Sequence, residues 1–146
     1  MHILLAIDES EGAKKATAFA RKLAESLEGS RVTIVHVVRP LDYRYVSLET
    51  GGPNLAAILE EIEAGARQRA RELVAQVEEA FPKEVPTTVL VTVGDPAAEI
   101  VNVAREANVD LIVVGSRGLG RMQGVLLGSV SDRVVHMAHC PVLVVR

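Results

Sequence analysis

Five short runs rich in β-branched residues alternate with longer segments whose apolar residues recur at helical spacing. No other feature restricts the fold as much, because strand–helix–strand units bring consecutive strands parallel and place helices on the sheet faces. The runs are Ile3–Asp8, Arg31–Val38, Val85–Val93, Leu111–Gly115 and Val142–Val145. Several are apolar at consecutive positions, the pattern of strands buried on both faces. Phe19, Leu23 and Leu27 mark a first helix, and Leu55, Ile58, Leu59, Ile62, Ala66, Leu73, Val77 and Phe81 a second, with polar residues outward. Asp95 as N-cap and Pro96 at the first helical position open a third, carrying Ile100, Val103, Ala104 and Ala107 inward. A fourth spans Ser129–His139. Right-handed crossovers then predict an α/β fold: an open five-stranded parallel sheet of order 3-2-1-4-5, Rossmann-like, with helices on both faces.

The 146 residues fit one domain over 1–146, and 49% hydrophobic residues supply a core that needs no disulfide or metal. Sixteen basic against nineteen acidic residues give a net charge of −3, which argues against a nucleic-acid footprint over the surface. The single cysteine, Cys140, closes no internal disulfide and fits a reducing cytoplasm. The opening MHILLAIDES lacks the pattern of a secretory signal, and no apolar stretch approaches the roughly eighteen residues of a membrane span, so a cytoplasmic protein without membrane contact is expected.

In open α/β sheets ligands bind beyond the carboxyl ends of the strands where the strand order switches, which directs attention to Asp8, Val37, Gly94 and Gly115 onward. After Gly115 the chain reads Ser116-Arg117-Gly118-Leu119-Gly120-Arg121-Met122-Gln123-Gly124-Val125-Leu126-Leu127-Gly128-Ser129-Val130-Ser131-Asp132. Glycines let backbone amides turn inward and approach an anion without Cβ interference. Ser129 with Asp132 three residues on matches a capping pattern, so a helix beginning here offers the amides of Ser129, Val130 and Ser131, reinforced by its dipole, to a phosphate chain. The hydroxyls of Ser129 and Ser131 and the charges of Arg117 and Arg121 add further donors. The long irregular stretch 39–54, with Tyr43, Tyr45 and Gly51-Gly52-Pro53, leaves from the ligand-bearing end of the second strand.

Plainer roles stand beside each of these. A glycine-rich loop also serves close helix–sheet packing. Asp8 also suits a helix cap, a task Ser10 performs equally well. Arg117 and Arg121 are also ordinary solvated charges. His136, His139 and Cys140 have a spacing that suits zinc, but no fourth ligand is evident and histidines in a last helical turn favour the helix dipole. His36 reads as a hydrogen-bonded structural histidine with no proton to transfer.

The chain resembles the ATP-binding branch of the universal stress protein family. The family pattern Gly-x2-Gly-x9-Gly-(Ser/Thr) is matched by Gly115, Gly118, Gly128 and Ser129. The likeness extends to the first strand ending in Asp8, to His36-Val37, to Val93-Gly94-Asp95-Pro96 and to Cys140-Pro141-Val142-Leu143-Val144-Val145. It implies that Ala6, Ile7 and Asp8 lie near ribose and adenine and that Val37 holds the adenine ring. Gly115, Arg117 and Gly118 would shape the phosphate loop, and Gly128, Ser129, Val130 and Ser131 would donate to the phosphates. Family members commonly carry glycine after the aspartate, where this chain has Glu9.

The expected function is an ATP-binding stress-response module whose occupancy sets a conformation or a surface for a protein partner, with Mg²⁺ held through the phosphates. Rapid turnover is not expected, since there is no P-loop lysine and no carboxylate clearly placed to orient water. The alternatives are a slow ATPase or a phosphoryl or nucleotidyl transferase at the same site, and a switch phosphorylated on Asp8. The apolar strand Val142–Val145 is expected at a sheet edge, where pairing with a second copy makes a homodimer. The loop with Tyr43 and Tyr45 is expected to cover the nucleotide or meet a partner.

Overall fold

The computed structural model describes residues 1–40, 55–116 and 127–146. In chain order the elements are β1 (His2–Ile7), α1 (Glu11–Ser26), β2 (Arg31–Val38), α2 (Leu55–Glu78), β3 (Thr87–Val93), α3 (Pro96–Glu106), β4 (Leu111–Gly115), α4 (Ser129–Met137) and β5 (Val142–Val145). The strands form one parallel sheet of order β3-β2-β1-β4-β5, as the alternation predicts. Strand β1 lies at the centre, pairing Ile3 with Val32 and Ile7 with His36 on one side, and Ile3 with Leu111 on the other.

Side chains alternate across the sheet and build two cores. Ile3, Leu5, Ile7, Ile34 and Val113 pack with α1 and α2, while Leu4, Ala6, Val35, Ile112 and Val114 pack with α3 and α4. Only the central strands are buried on both faces; at the edges β3 exposes Val89 and Val93 and all four residues of β5 are half-buried. Strand β3 begins at Thr87, two residues later than the apolar run, because Pro86 has no N–H to give the ladder. Strand β1 stops at Ile7, and Asp8 begins the turn into α1.

Helix α1 is capped by Ser10, whose Oγ accepts from the Ala13 amide at 3.2 Å. Its buried stripe is Ala13, Ala16, Ala20 and Ala24, not the larger residues, and Phe19 is 44% exposed. The reason is proximity. A Cβ on Gly115 would stand 2.5 Å from the Gly12 carbonyl carbon, so α1 lies too close to the sheet for anything larger than methyl groups along its seam.

Helix α2 behaves differently. Its 24 residues span about 36 Å, whereas β2, the longest strand, spans about 26 Å. Only the second half covers the sheet, burying Ala70 and Val74, with Phe81 following in the turn. The first half overhangs the carboxyl ends of the strands, leaving the expected core residues Ile58 and Ile62 exposed.

Asp95 caps α3 through Oδ1, which accepts from the Ala98 amide at 3.0 Å. Helix α4 begins one residue earlier in its cap than expected: Gly128 is the N-cap, Ser129 is already helical, and the helix ends at Met137. Among the described residues no helix is long and apolar enough to cross a membrane.

Candidate functional site

Where β1 diverges from its neighbours, the carboxyl ends of β1, β2 and β4 open into a cleft of about 770 Å³, within the range usual for small-molecule sites. Its floor is Ala6, Ile7 and Asp8 from β1 and its turn, His36 to Arg39 from the end of β2, and Val114 and Gly115 from β4. Helix starts rim it: Glu9, Ser10 and Ala13 at α1, Pro96 and Ile100 at α3, and Gly128 to Ser131 at α4. Helix α2 adds Ala66, Arg69, Ala70 and Leu73 as a side wall.

Three chemically different surfaces follow one another along this edge. Ala6, Val35, Val37, Ile100, Val114 and Val130 form an apolar slot on the α3/α4 side, suited to a flat ring. Next comes Asp8. Its Oδ1 accepts hydrogen bonds from the Ser10 amide, at 3.0 Å, and from the Ser10 hydroxyl. Ser10 takes the capping role, and Oδ2 of Asp8 accepts no hydrogen bond among the described residues, which leaves it able to receive a ligand hydroxyl. The third surface is the first turn of α4. Its glycine cap supplies no side-chain acceptor, and the first intrahelical bond runs from the Asp132 amide to the Gly128 carbonyl at 2.9 Å. The preceding amides therefore remain for an anion, in the favourable field of the helix start.

The two described ends of the glycine-rich loop are tied together, the Gly128 amide donating to the Ser116 carbonyl at 2.6 Å. Ser131 is buried, and its hydroxyl reaches the carbonyls of Gly128 at 3.0 Å and Ser116 at 3.2 Å. The hydroxyl expected to donate to a phosphate is thus engaged with two carbonyls, while the Ser131 amide precedes the first intrahelical bond. Ser129 is exposed.

At Gly115 the close helix–sheet packing and the cleft wall meet in one residue. It lines the cleft, yet its lack of a Cβ is required by Gly12 and Ala13 of α1, at 2.5 to 3.0 Å. Gly94 is not part of the cleft wall: its amide donates to the Val38 carbonyl at 3.0 Å, and Pro96 and Ile100 line the cleft beyond it. Arg117 and Gly118, with Gly120, Arg121 and Gly124, lie outside the described residues, as do Tyr43 and Tyr45.

Histidine 36 donates from Nδ1 to the Ile7 carbonyl at 2.9 Å, the structural bond expected of it. Of the residues with zinc-like spacing, His136 donates from Nδ1 to the Asp132 carbonyl at 2.8 Å and burial pushes the Cys140 thiol up; among the described residues no three His, Cys, Asp or Glu side chains gather as ligands. Asp95 bonds Arg133 of α4 at 2.8 Å through Oδ2, and that bond, with the Ala98 amide, holds its carboxyl below the usual range. The α3 cap is thereby tied to the helix that begins the anion surface.

Arg39 and Arg69 are charged wall residues among those that sequence reasoning missed. Arg39 follows an expected strand end, and Arg69 belongs to the polar positions of α2 that were assigned outward. A signal for the second was present: Gly65, in the middle of a helix, costs about 1 kcal/mol against alanine and leaves the surface on which Arg69 lies.

A model described as the universal stress protein family matches residues 1–146. A curated relative, the universal stress protein in the QAH/OAS sulfhydrylase 3′ region of Thermus aquaticus, is 38% identical over 146 residues, covering 99% of this chain and 97% of its own length. The solved structure of the hypothetical protein MJ0577 superposes with a TM-score of 0.83 at 26% identity, covering 99% of this chain and 94% of that one. Two more distant structures share the fold, covering nearly all of this chain and at least 90% of their own. One is a universal stress protein in complex with cAMP (TM-score 0.60, 24% identity), the other a family protein from Arabidopsis thaliana with AMP bound (TM-score 0.63, 18% identity).

Proposed function

Because the chain belongs to the universal stress protein family, we propose that it binds an adenine nucleotide, ATP foremost, as a nucleotide-dependent stress-response module without rapid turnover. The carrying observation is the order of the three surfaces: an apolar slot at Val37 and Ile100, an available carboxylate oxygen on Asp8, and uncapped amides at the start of α4. Base, sugar and phosphate chain meet them in that order. The slot excludes water from the ring faces, Asp8 orients the sugar hydroxyls, and the α4 amides with the Ser129 hydroxyl hold the phosphates, Mg²⁺ being carried by the phosphates themselves. The AMP and cAMP complexes belong to those other proteins and, at their level of identity, speak for the fold alone.

The wall contains no lysine among the described residues, and its carboxylates, Asp8 and Glu9, sit at the sugar end rather than beside the α4 amides. This favours binding over hydrolysis. Calorimetric titration with ATP, ADP and AMP, with and without magnesium, tests the reading. Micromolar binding weakened about tenfold by Ser129→Ala, from the loss of one hydrogen bond to a charged group, is expected. No heat with any of the three nucleotides would overturn it, and rapid multiple-turnover phosphate release would overturn its non-catalytic part.

The half-buried edge strand β5, beside exposed Val135 and Met137 of α4, is the proposed homodimer contact. Sedimentation as a monomer at micromolar concentration would count against it.

A further inference from the structure

Each face of the sheet contributes a wall, or lobe, to the cleft, and the nucleotide reading uses only one. Base slot and α4 amides belong to the α3/α4 face of the sheet. The opposite face contributes its own wall: Ile7 and Ala13, both in the α1/α2 core, then Leu73, Ala70 and Arg69 of α2, and His36, which shares Ile7's face as its register partner on the adjacent strand. Asp8 follows Ile7 at the end of β1, where the two lobes meet.

Arg69 is the charged group of this second lobe. Its guanidinium lies back along α2, with Nη1 3.5 Å from the point where a Cβ on Gly65 would stand. Among the described residues no acidic side chain pairs with it. The neighbouring wall positions, Ala66 and Ala70, are small. A planar cation in a cleft wall, with no acidic partner among the described residues, presents the geometry that recognises phosphate oxygens in pairs.

We propose that this lobe is a second anion subsite, and that the ligand class is an adenine nucleotide bearing a phosphate monoester on a ribose 2′- or 3′-hydroxyl as well as on the 5′ position. The inference rests on the nucleotide reading above. One ribose hydroxyl suffices for Asp8 Oδ2; the other carries its substituent over the end of β1 toward Arg69, while the 5′-phosphate meets α4 on the opposite face. The two anionic groups are thus held on separate faces of one sheet, each by its own positive pole.

Adenosine 3′,5′-bisphosphate, ADP and AMP titrated into wild type and Arg69→Ala test this. Wild type is expected to bind the bisphosphate about tenfold more tightly than AMP, the gain from one charge-assisted pair. Arg69→Ala is expected to erase that advantage, Arg69→Lys to restore part of it, and ADP affinity to stay within about twofold in both variants. ADP carries its second phosphate toward α4, so a loss of general positive charge would weaken ADP equally and overturn the assignment. A bisphosphate that binds no more tightly than AMP overturns the subsite while leaving the nucleotide site standing. Failure of AMP and ADP alike overturns both. An equal gain for AMP produced by inorganic phosphate overturns the ribose-linked ligand and assigns the lobe to the free anion.

Discussion

Helices α1 and α2 cover the same face of the sheet in opposite ways. Helix α1 is pressed onto the strands along an alanine seam, with Gly12 against Gly115 so close that no Cβ fits between them. Helix α2 is half detached: its second turn and third turn carry exposed isoleucines, and it reaches past the strand ends to form one wall of the cleft. The difference separates two tasks. The first contact holds the end of β4 in place, and with it the entrance to the glycine-rich loop. The overhang creates volume, because a helix longer than the sheet it covers must leave a wall standing beyond the strand ends.

The largest effect that would break this contrast is at Gly115. Replacement by alanine sets a methyl group against backbone atoms that have no rotamer to yield, and a loss of about 3 kcal/mol or more in denaturant unfolding is expected. An unchanged midpoint would mean that α1 does not sit as close as described. Next, Ala20→Leu in the α1 seam is expected to cost about 1–3 kcal/mol by overpacking, whereas Ile62→Ser on the overhang stays within about 0.5 kcal/mol. Equal costs in thermal melts would erase the distinction between the helices.

The smallest effect concerns the tie between α3 and α4. The hydrogen bond from Arg133, and then that from the Ala98 amide, lower the Asp95 carboxyl relative to its unfolded value. Its contribution is therefore complete above the unfolded carboxylate range and disappears as pH falls through the folded value. Asp95→Asn should remove a small part of the acid-side slope of stability and change nothing measurable near neutral pH that a lost surface pair would not explain. A stability profile identical to wild type down to acid unfolding would show that the tie contributes nothing.

Most of the sheet was legible because β-branched runs and capping residues act locally. Pro96 after Asp95 marks a helix start, whereas Pro86, read as part of the third strand, is where the β3 ladder cannot begin. The floor of the cleft was partly legible for the same reason, since the ends of buried strands lead to Asp8, Val37 and Gly115, while Ala6 and Ile7 came only from the family resemblance. Phe19 misled because size suggests the core, while the actual seam admits only methyl groups. Ser129 misled as a cap because the capping pattern is satisfied one residue away by Gly128, whose missing side chain is what leaves the amides available.

The order of polar and apolar residues by itself determined the parallel sheet, its order and the edge at which the cleft opens, because periodicity and turn chemistry are properties of neighbouring residues. Only the tertiary structure decided which side of that edge each group serves. The inward hydroxyl of Ser131 and the place of Arg69 in the cleft wall depend on how closely helices approach the sheet and how far they outrun it. Those distances are set by contacts between residues far apart in the chain, and no local pattern records them.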